Sequence, residues 1–203
     1  MAVPPNLDPA APSGLAARKR QMVQAHVSAV AMRLFQESGF AETTADQIAA
    51  AAGMSRTSFF RYFATKEDTV LFHTDALGAH IRAVLESRPD GENAWDALRN
   101  AMTALPALFA DRPDGGLAEA TLVIRTPAIR ARNHDKLQAW ITLLAPETAR
   151  RLGADPDDPA DPRPRAMVAA TLACFDIVTE IWVDSGGTAD LSELLERAMS
   201  ATR

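Results

Sequence analysis

The sequence predicts an all-α protein with two parts. Apolar residues recur at helical spacing along most of the chain, and no alternating strand pattern of useful length interrupts them. The periodic segments are separated by Gly, Pro and Asp clusters of the kind that end helices. At 203 residues, 47% hydrophobic and 23% charged, the chain has an ordinary soluble balance and suffices for one domain or two small ones with a shared core. The expected organisation is a tail over 1–14, a helix-turn-helix domain over 15–66 and a helical body over 67–203.

Residues 1–14, MAVPPNLDPAAPSG, are rich in Pro and Ala and offer little to bury, so a disordered tail is expected. A first helix starts near Leu15 to Arg18, carries Val23, Val27, Val30, Leu34 and Phe35 as its inward stripe, and stops at Ser38-Gly39. The basic run Arg18, Lys19 and Arg20 reads equally as a solvated patch and as a phosphate contact. In TTADQIAAAAGMSRTSFFRYFATK at 43–66, Thr44 and Gln47 have capping-box spacing ahead of a helix over Ala45 to Ala52. Gly53 supplies the turn, Ser55 caps a second helix, and Arg56 to Phe63 follows. Phe59 and Phe63, four apart, anchor that helix to its neighbours. Arg56, Thr57, Ser58, Phe60, Arg61 and Tyr62 remain on or near the other side. Arginine reads guanine or phosphate, hydroxyls reach phosphate and an aromatic edge meets a thymine methyl, so this face suits a DNA major groove.

In the body, a long helix capped by Thr65 is expected from Lys66 to about Arg88, ending at Pro89-Asp90-Gly91. Next come a helix over about 92–110, bearing Trp95, Leu98, Met102, Leu105 and Phe109, and a turn over 111–116. Leu117 to Arg125 is a shorter helix. Ala128 to Leu152 is a long one, with a kink expected at Pro146. GADPDDPADPRPR at 153–165 is a loop. Arg165 to Ser185 is apolar on more than one side, Gly186-Gly187 ends it, and Leu191 to Met199 closes the chain.

The run from about Arg20 to Leu71 resembles the DNA-binding domain of TetR-family transcriptional regulators. The landmarks are LFQESGF at 34–40, TT at 43–44, IAAAAGMS at 48–55, FFRYF at 59–63 and KED at 66–68. The resemblance implies DNA contacts by Thr44, Arg56, Thr57, Ser58, Phe60, Arg61, Tyr62 and Lys66, with Arg56, Thr57 and Phe60 nearest the bases. Ser58, Tyr62 and Lys66 then take phosphates. Thr57 and Phe60 depart from the Gly and Tyr that many members carry there, and Phe60 lacks the phenolic hydrogen bond to the DNA backbone. The family resemblance further implies an operator-bound homodimer, joined through its last two helices, and a small, largely apolar effector in the body. Activation in place of repression stays open, as does an adaptor whose helix-turn-helix has lost DNA binding.

Trp95, Phe109, Arg125, Trp140, Phe175 and Trp182 are the candidate effector contacts, the aromatics serving equally well as ordinary core. Leu172, Val178, Leu191 and Leu195 are the candidate dimer contacts. Asp176, Glu180 and Asp184 form a carboxylate stripe read as a solvated face. Residues 118–182 resemble the C-terminal domain of mycofactocin-type regulators, a subgroup in which some members sense acyl-CoA thioesters.

No cofactor or metal is expected: His80 and His134 lack ligand spacing, and Cys174 stands alone. No phosphate loop, HExxH or GxSxG is present, which argues against an enzyme. With no leader pattern and no apolar run read as a membrane span, the expected compartment is the cytoplasm. The formal charge of −5 divides unevenly. Residues 14–66 carry seven basic side chains against three acidic ones, so the attractive potential lies where DNA would sit.

Overall fold

The computed structural model describes residues 14–103, 105–106 and 113–202. The expected tail (save Gly14) and Phe109 lie outside the described residues. Among them the regular structure is helical throughout, without a strand. The chain divides into two compact units at Ala76–Leu77.

In the first unit α1 is Leu15–Ser38, α2 Ala45–Ala51, α3 Arg56–Tyr62 and α4 Glu67–Val70. Helix α1 packs against α2 and α4, and α2 against α3; Val27, Val30 and Phe35 of α1, Ile48 and Ala49 of α2, Phe59 of α3, Val70 of α4, Phe63 and Leu71 are all buried. The short α4 folds onto α1: the Ser28 hydroxyl donates to the Thr69 carbonyl at 2.7 Å, and Thr69 itself is fully buried. The segment 67–76, assigned to the body on sequence grounds, therefore closes the first unit. The long helix expected from Lys66 to Arg88 is two helices, α4 and α5 (Thr74–Ser87), separated by a turn at Leu71-Phe72-His73. Thr65 does act at the start of α4, exchanging hydrogen bonds with Asp68 through the Thr65 N–H (3.1 Å) and the Asp68 N–H (3.3 Å).

The second unit contains α6 (Ala94–Met102), α7 (Pro113–Arg125), α8 (Pro127–Arg151), α9 (Arg163–Asp184) and α10 (Leu191–Ala201). The turn expected at 111–116 gives way to helix from Pro113 onward; proline at a first helical position is already set to the required φ. Helix α9 packs against α6, α7, α8 and α10, and its Val168, Leu172, Cys174, Val178, Trp182 and Val183 belong to one continuous apolar core. This helix is long and apolar enough to cross a membrane by length and composition, contrary to the expectation from sequence. In this fold it is the central core helix.

One buried cation ties the second unit together. The Arg151 side chain is fully buried at the end of α8. Its Nη2 donates to the carbonyls of Leu85 (3.0 Å) and Arg88 (2.9 Å), and its Nη1 to that of Pro89 (2.9 Å). Its Nε meets Glu147 at 2.8 Å. The carbonyls left open at the end of α5 are thus satisfied from α8.

Candidate nucleic-acid interface

The expected capping box is formed. Thr44 Oγ1 accepts the Gln47 N–H at 3.2 Å, and Gln47 Oε1 accepts the Thr44 N–H at 2.7 Å. Gly53, at φ 69°, turns the chain out of α2, and the Met54 N–H closes on the Ala49 carbonyl at 2.9 Å. Ser55 then caps α3, its hydroxyl accepting the Ser58 N–H at 3.1 Å. With Phe59 fully buried and Phe63 nearly so, α3 turns Arg56, Thr57, Phe60 and Arg61 outward. Phe60 keeps 43% of its surface exposed and meets the Phe59 ring edge-on at 5.3 Å.

The ends of this surface are braced by α1. Arg20 Nη1 donates to the Arg61 carbonyl (3.2 Å) and Gln24 Nε2 to the Tyr62 carbonyl (3.1 Å). The guanidiniums of Arg20 and Arg61 each lie 5.3 Å from the centroid of the Tyr62 ring. Arg20, left open between two roles on sequence grounds, is therefore part of this surface. Gln24 was missed, and no local pattern marks it. Asp46 was missed as well: Arg56 Nη1 donates to both of its carboxylate oxygens, at 2.8 and 2.7 Å.

Lys66, expected to contact phosphate, is anchored within the unit. Its half-buried ammonium donates to the carbonyls of Phe40 (2.7 Å) and Thr43 (2.8 Å) and lies 4.2 Å from the Phe40 ring centroid. It pins the α1–α2 connection. The charge argument also weakens once the unit ends at Ala76, because Glu67, Asp68 and Asp75 nearly cancel the basic excess. Of the cations that remain, Arg20 and Arg61 meet on the Tyr62 ring, and Arg18, Lys19, Arg33 and Arg56 are exposed as well.

Residues 28–71 match the family described as bacterial regulatory proteins, tetR family, and residues 92–203 match the MftR C-terminal domain of such regulators. The chain belongs to the TetR family. It is similar, at 34% identity over 198 residues (94% of this chain, 87% of the relative), to the HTH-type transcriptional regulator TcmR of Streptomyces glaucescens. It is 28% identical over 141 residues to the putative mycofactocin biosynthesis transcriptional regulator MftR of Mycobacterium tuberculosis, covering 70% of this chain and 71% of the relative. Among solved structures it is similar to FadR of Thermus thermophilus, a TetR-family repressor in complex with lauroyl-CoA. The TM-score is 0.56 and the identity 26%, covering 87% of this chain and 91% of that one. This TetR-family chain is accordingly a transcriptional regulator, in a group of regulators and not of enzymes.

In the regulator's body, Trp140 and Trp182 lie in the apolar core, and Trp95 and Phe175 pack against it. The Trp140 ring sits on the backbone of Gly78 in α5: a Cβ there would fall 2.5 Å from the indole nitrogen. That nitrogen is buried with no hydrogen-bond partner among the described residues. Arg125 does not join these aromatics; it is exposed and ion-paired with Asp184. The carboxylate stripe is likewise paired, Arg130 reaching Asp176 at 3.4 Å and Glu180 at 3.3 Å.

The four expected dimer residues are corrected outright. Leu172, Val178, Leu191 and Leu195 are each at most 6% exposed within one chain, because their helical stripe faces the body core. The large apolar side chains that α9 leaves outside are Ile177 and Ile181, at 57% and 44% exposure.

Proposed function

We propose that this protein is a ligand-responsive repressor that binds a palindromic operator as a homodimer and is released by a small, largely apolar effector. One observation carries the DNA-binding half: a capped α2–Gly53–α3 unit whose outer face joins Arg56, Thr57, Phe60 and Arg61 over a buried Phe59. Guanidinium, hydroxyl and aromatic edge together match the chemistry of a major groove and its flanking phosphates. A single short recognition helix binds weakly, and a two-fold pair set one DNA turn apart, about 34–36 Å, doubles the contacts. For the pair, Ile177 and Ile181 are the large apolar side chains of α9 that one chain leaves exposed.

The effector acts by binding the body with different affinity in the DNA-competent and released states, which is all the switch requires. Acyl-CoA thioesters are the first class to test, since lauroyl-CoA is bound by the Thermus FadR to which the chain is similar. The experiment is fluorescence anisotropy of the full-length protein on the DNA upstream of its own gene, across a salt series and then with lauroyl-CoA added. Selective binding with a steep negative salt slope, and release by micromolar thioester, are expected. Equal, weak binding to unrelated DNA would count against the operator reading. Selective binding untouched by thioesters would leave the operator reading and remove the effector class.

A further inference from the structure

Asp46 of α2 makes an ion pair with Arg56 of α3 across the helix-turn-helix. We propose that Asp46 is a specificity-determining residue, acting by positioning Arg56 for bidentate reading of one guanine in each operator half-site. The inference rests on the proposal that α3 reads an operator.

The geometry is a two-sided clamp. Arg56 Nη1 is occupied by both oxygens of Asp46. Its Nε and Nη2 make no further hydrogen bond among the described residues. Those two groups carry parallel N–H bonds along one edge of the guanidinium, the fork that matches O6 and N7 of guanine. From another side, the Phe60 ring lies 5.3 Å from the Arg56 guanidinium carbon. Phe60 is in turn set edge-on against the fully buried Phe59, so one jaw of the clamp is referenced to the core. The other jaw is fixed by the capping box, since Asp46 lies between Thr44 and Gln47 in the first turn of α2.

A free arginine has several rotatable bonds to order on binding, and much of that cost is removed when the side chain is already held. Asp46 and Arg56 are well exposed, at 58% and 66% of their side-chain surface, so in water the ion pair adds little to stability. Against DNA the balance differs. A carboxylate facing the polyanion opposes non-specific binding, and only a correctly placed guanine offsets that cost. Asp46 therefore lowers affinity for the wrong sequence while aligning the reader of the right one. The competing role is that of a carboxylate placed in the first turn of α2 to suit the helix dipole, which concerns stability alone.

The test selects bound duplexes from a random library with full-length wild-type protein, Arg56→Ala and Asp46→Asn, and measures each variant's melting temperature. Wild type is expected to select a motif with a guanine whose preference Arg56→Ala abolishes. Asp46→Asn should weaken that one preference by about tenfold, within the range of a bidentate base contact, while binding to unrelated DNA stays equal or tightens. If Arg56→Ala loses the guanine and Asp46→Asn keeps it, the positioning role is wrong and the operator reading stands. Parallel loss of specific and non-specific binding in Asp46→Asn makes the residue a helix-stabilising carboxylate only and overturns the proposal. A wild-type protein that selects no motif overturns the operator reading, and this inference with it.

Discussion

At the scale of single residues, the two neighbouring arginines at the end of α8 have opposite fates. Arg151 is fully buried and donates to backbone carbonyls and Glu147, whereas Arg150 is 50% exposed and pairs with Glu147 and Asp90. Arg151→Ala should destabilise the protein by about 3–5 kcal/mol in urea unfolding, because buried carbonyls and a carboxylate lose their partner. Arg151→Lys should recover little, since an ammonium lacks the planar fork. Arg150→Ala should stay within about 1 kcal/mol of wild type. The hydrogen bond from Arg150, reinforced by the nearby charges, holds the Glu147 carboxyl below its ordinary value of 4.5, and Arg88 does the same for Glu92. A carboxyl depressed on folding stabilises the native state above its unfolded pKa and loses that contribution as pH falls through the folded one. The melting temperature should therefore be level from about pH 7 to 5 and fall below about 4.5. In Glu147→Gln it should start lower and fall less. The sequence prints Arg150 and Arg151 as an undifferentiated pair; which one is buried depends on the α5 end that α8 meets, a non-local fact.

At the scale of elements, the helices bounded by caps and glycines were legible and those bounded by packing were not. Thr44, Gln47, Gly53 and Ser55 are local signals, and α2 and α3 form where they dictate. The break between α4 and α5 follows no such signal: EDTVLFHTDAL contains neither Gly nor Pro, and it arises where Thr69, Val70 and Leu71 bury in the first unit. The same limit applies to α9, whose apolar residues on several sides are visible in sequence although their division between core and surface is not. Leu172 and Val178 went inward, Ile177 and Ile181 outward. Gly78 is a further case. It looks like a weak point in a helix, yet its bare Cα lets the Trp140 ring lie against α5. Gly78→Ala should raise intrinsic helix propensity and still destabilise the protein by about 1–3 kcal/mol, because the rigid indole must be displaced. Gly91→Ala, with nothing within 4 Å of the added carbon, should change stability by less than about 0.5 kcal/mol. Equal effects of the two in thermal melts would mean that the Gly78–Trp140 contact is not tight in solution.

At the scale of the whole molecule, the apolar composition of α9 and the exposure of two of its isoleucines have one physical reading. A helix that is apolar on more than one face needs more than one partner, and the second unit supplies partners for only part of its circumference. Ile177 and Ile181, one turn apart, form an outward row, bordered by Asp176, Glu180 and Asp184 with their arginines. An apolar centre with a charged rim is the anatomy of a protein interface. A second copy would bring the same row against itself around a two-fold axis. Ile177→Glu with Ile181→Glu should then convert the proposed dimer to a monomer in sedimentation at micromolar concentration. The melting transition should survive, because neither side chain contributes to the buried core of one chain. Operator affinity should fall by about a hundredfold or more, since a lone α3 keeps one half-site's contacts and loses the coupling to the other. Binding to unrelated DNA should change far less, as the surface around Arg20, Arg56 and Arg61 is untouched. If the double variant stays dimeric, the interface lies elsewhere on the body. Loss of folding along with the dimer would instead show that the native chain exists only as a pair, which dilution of the wild-type protein would reveal as a concentration-dependent melting temperature.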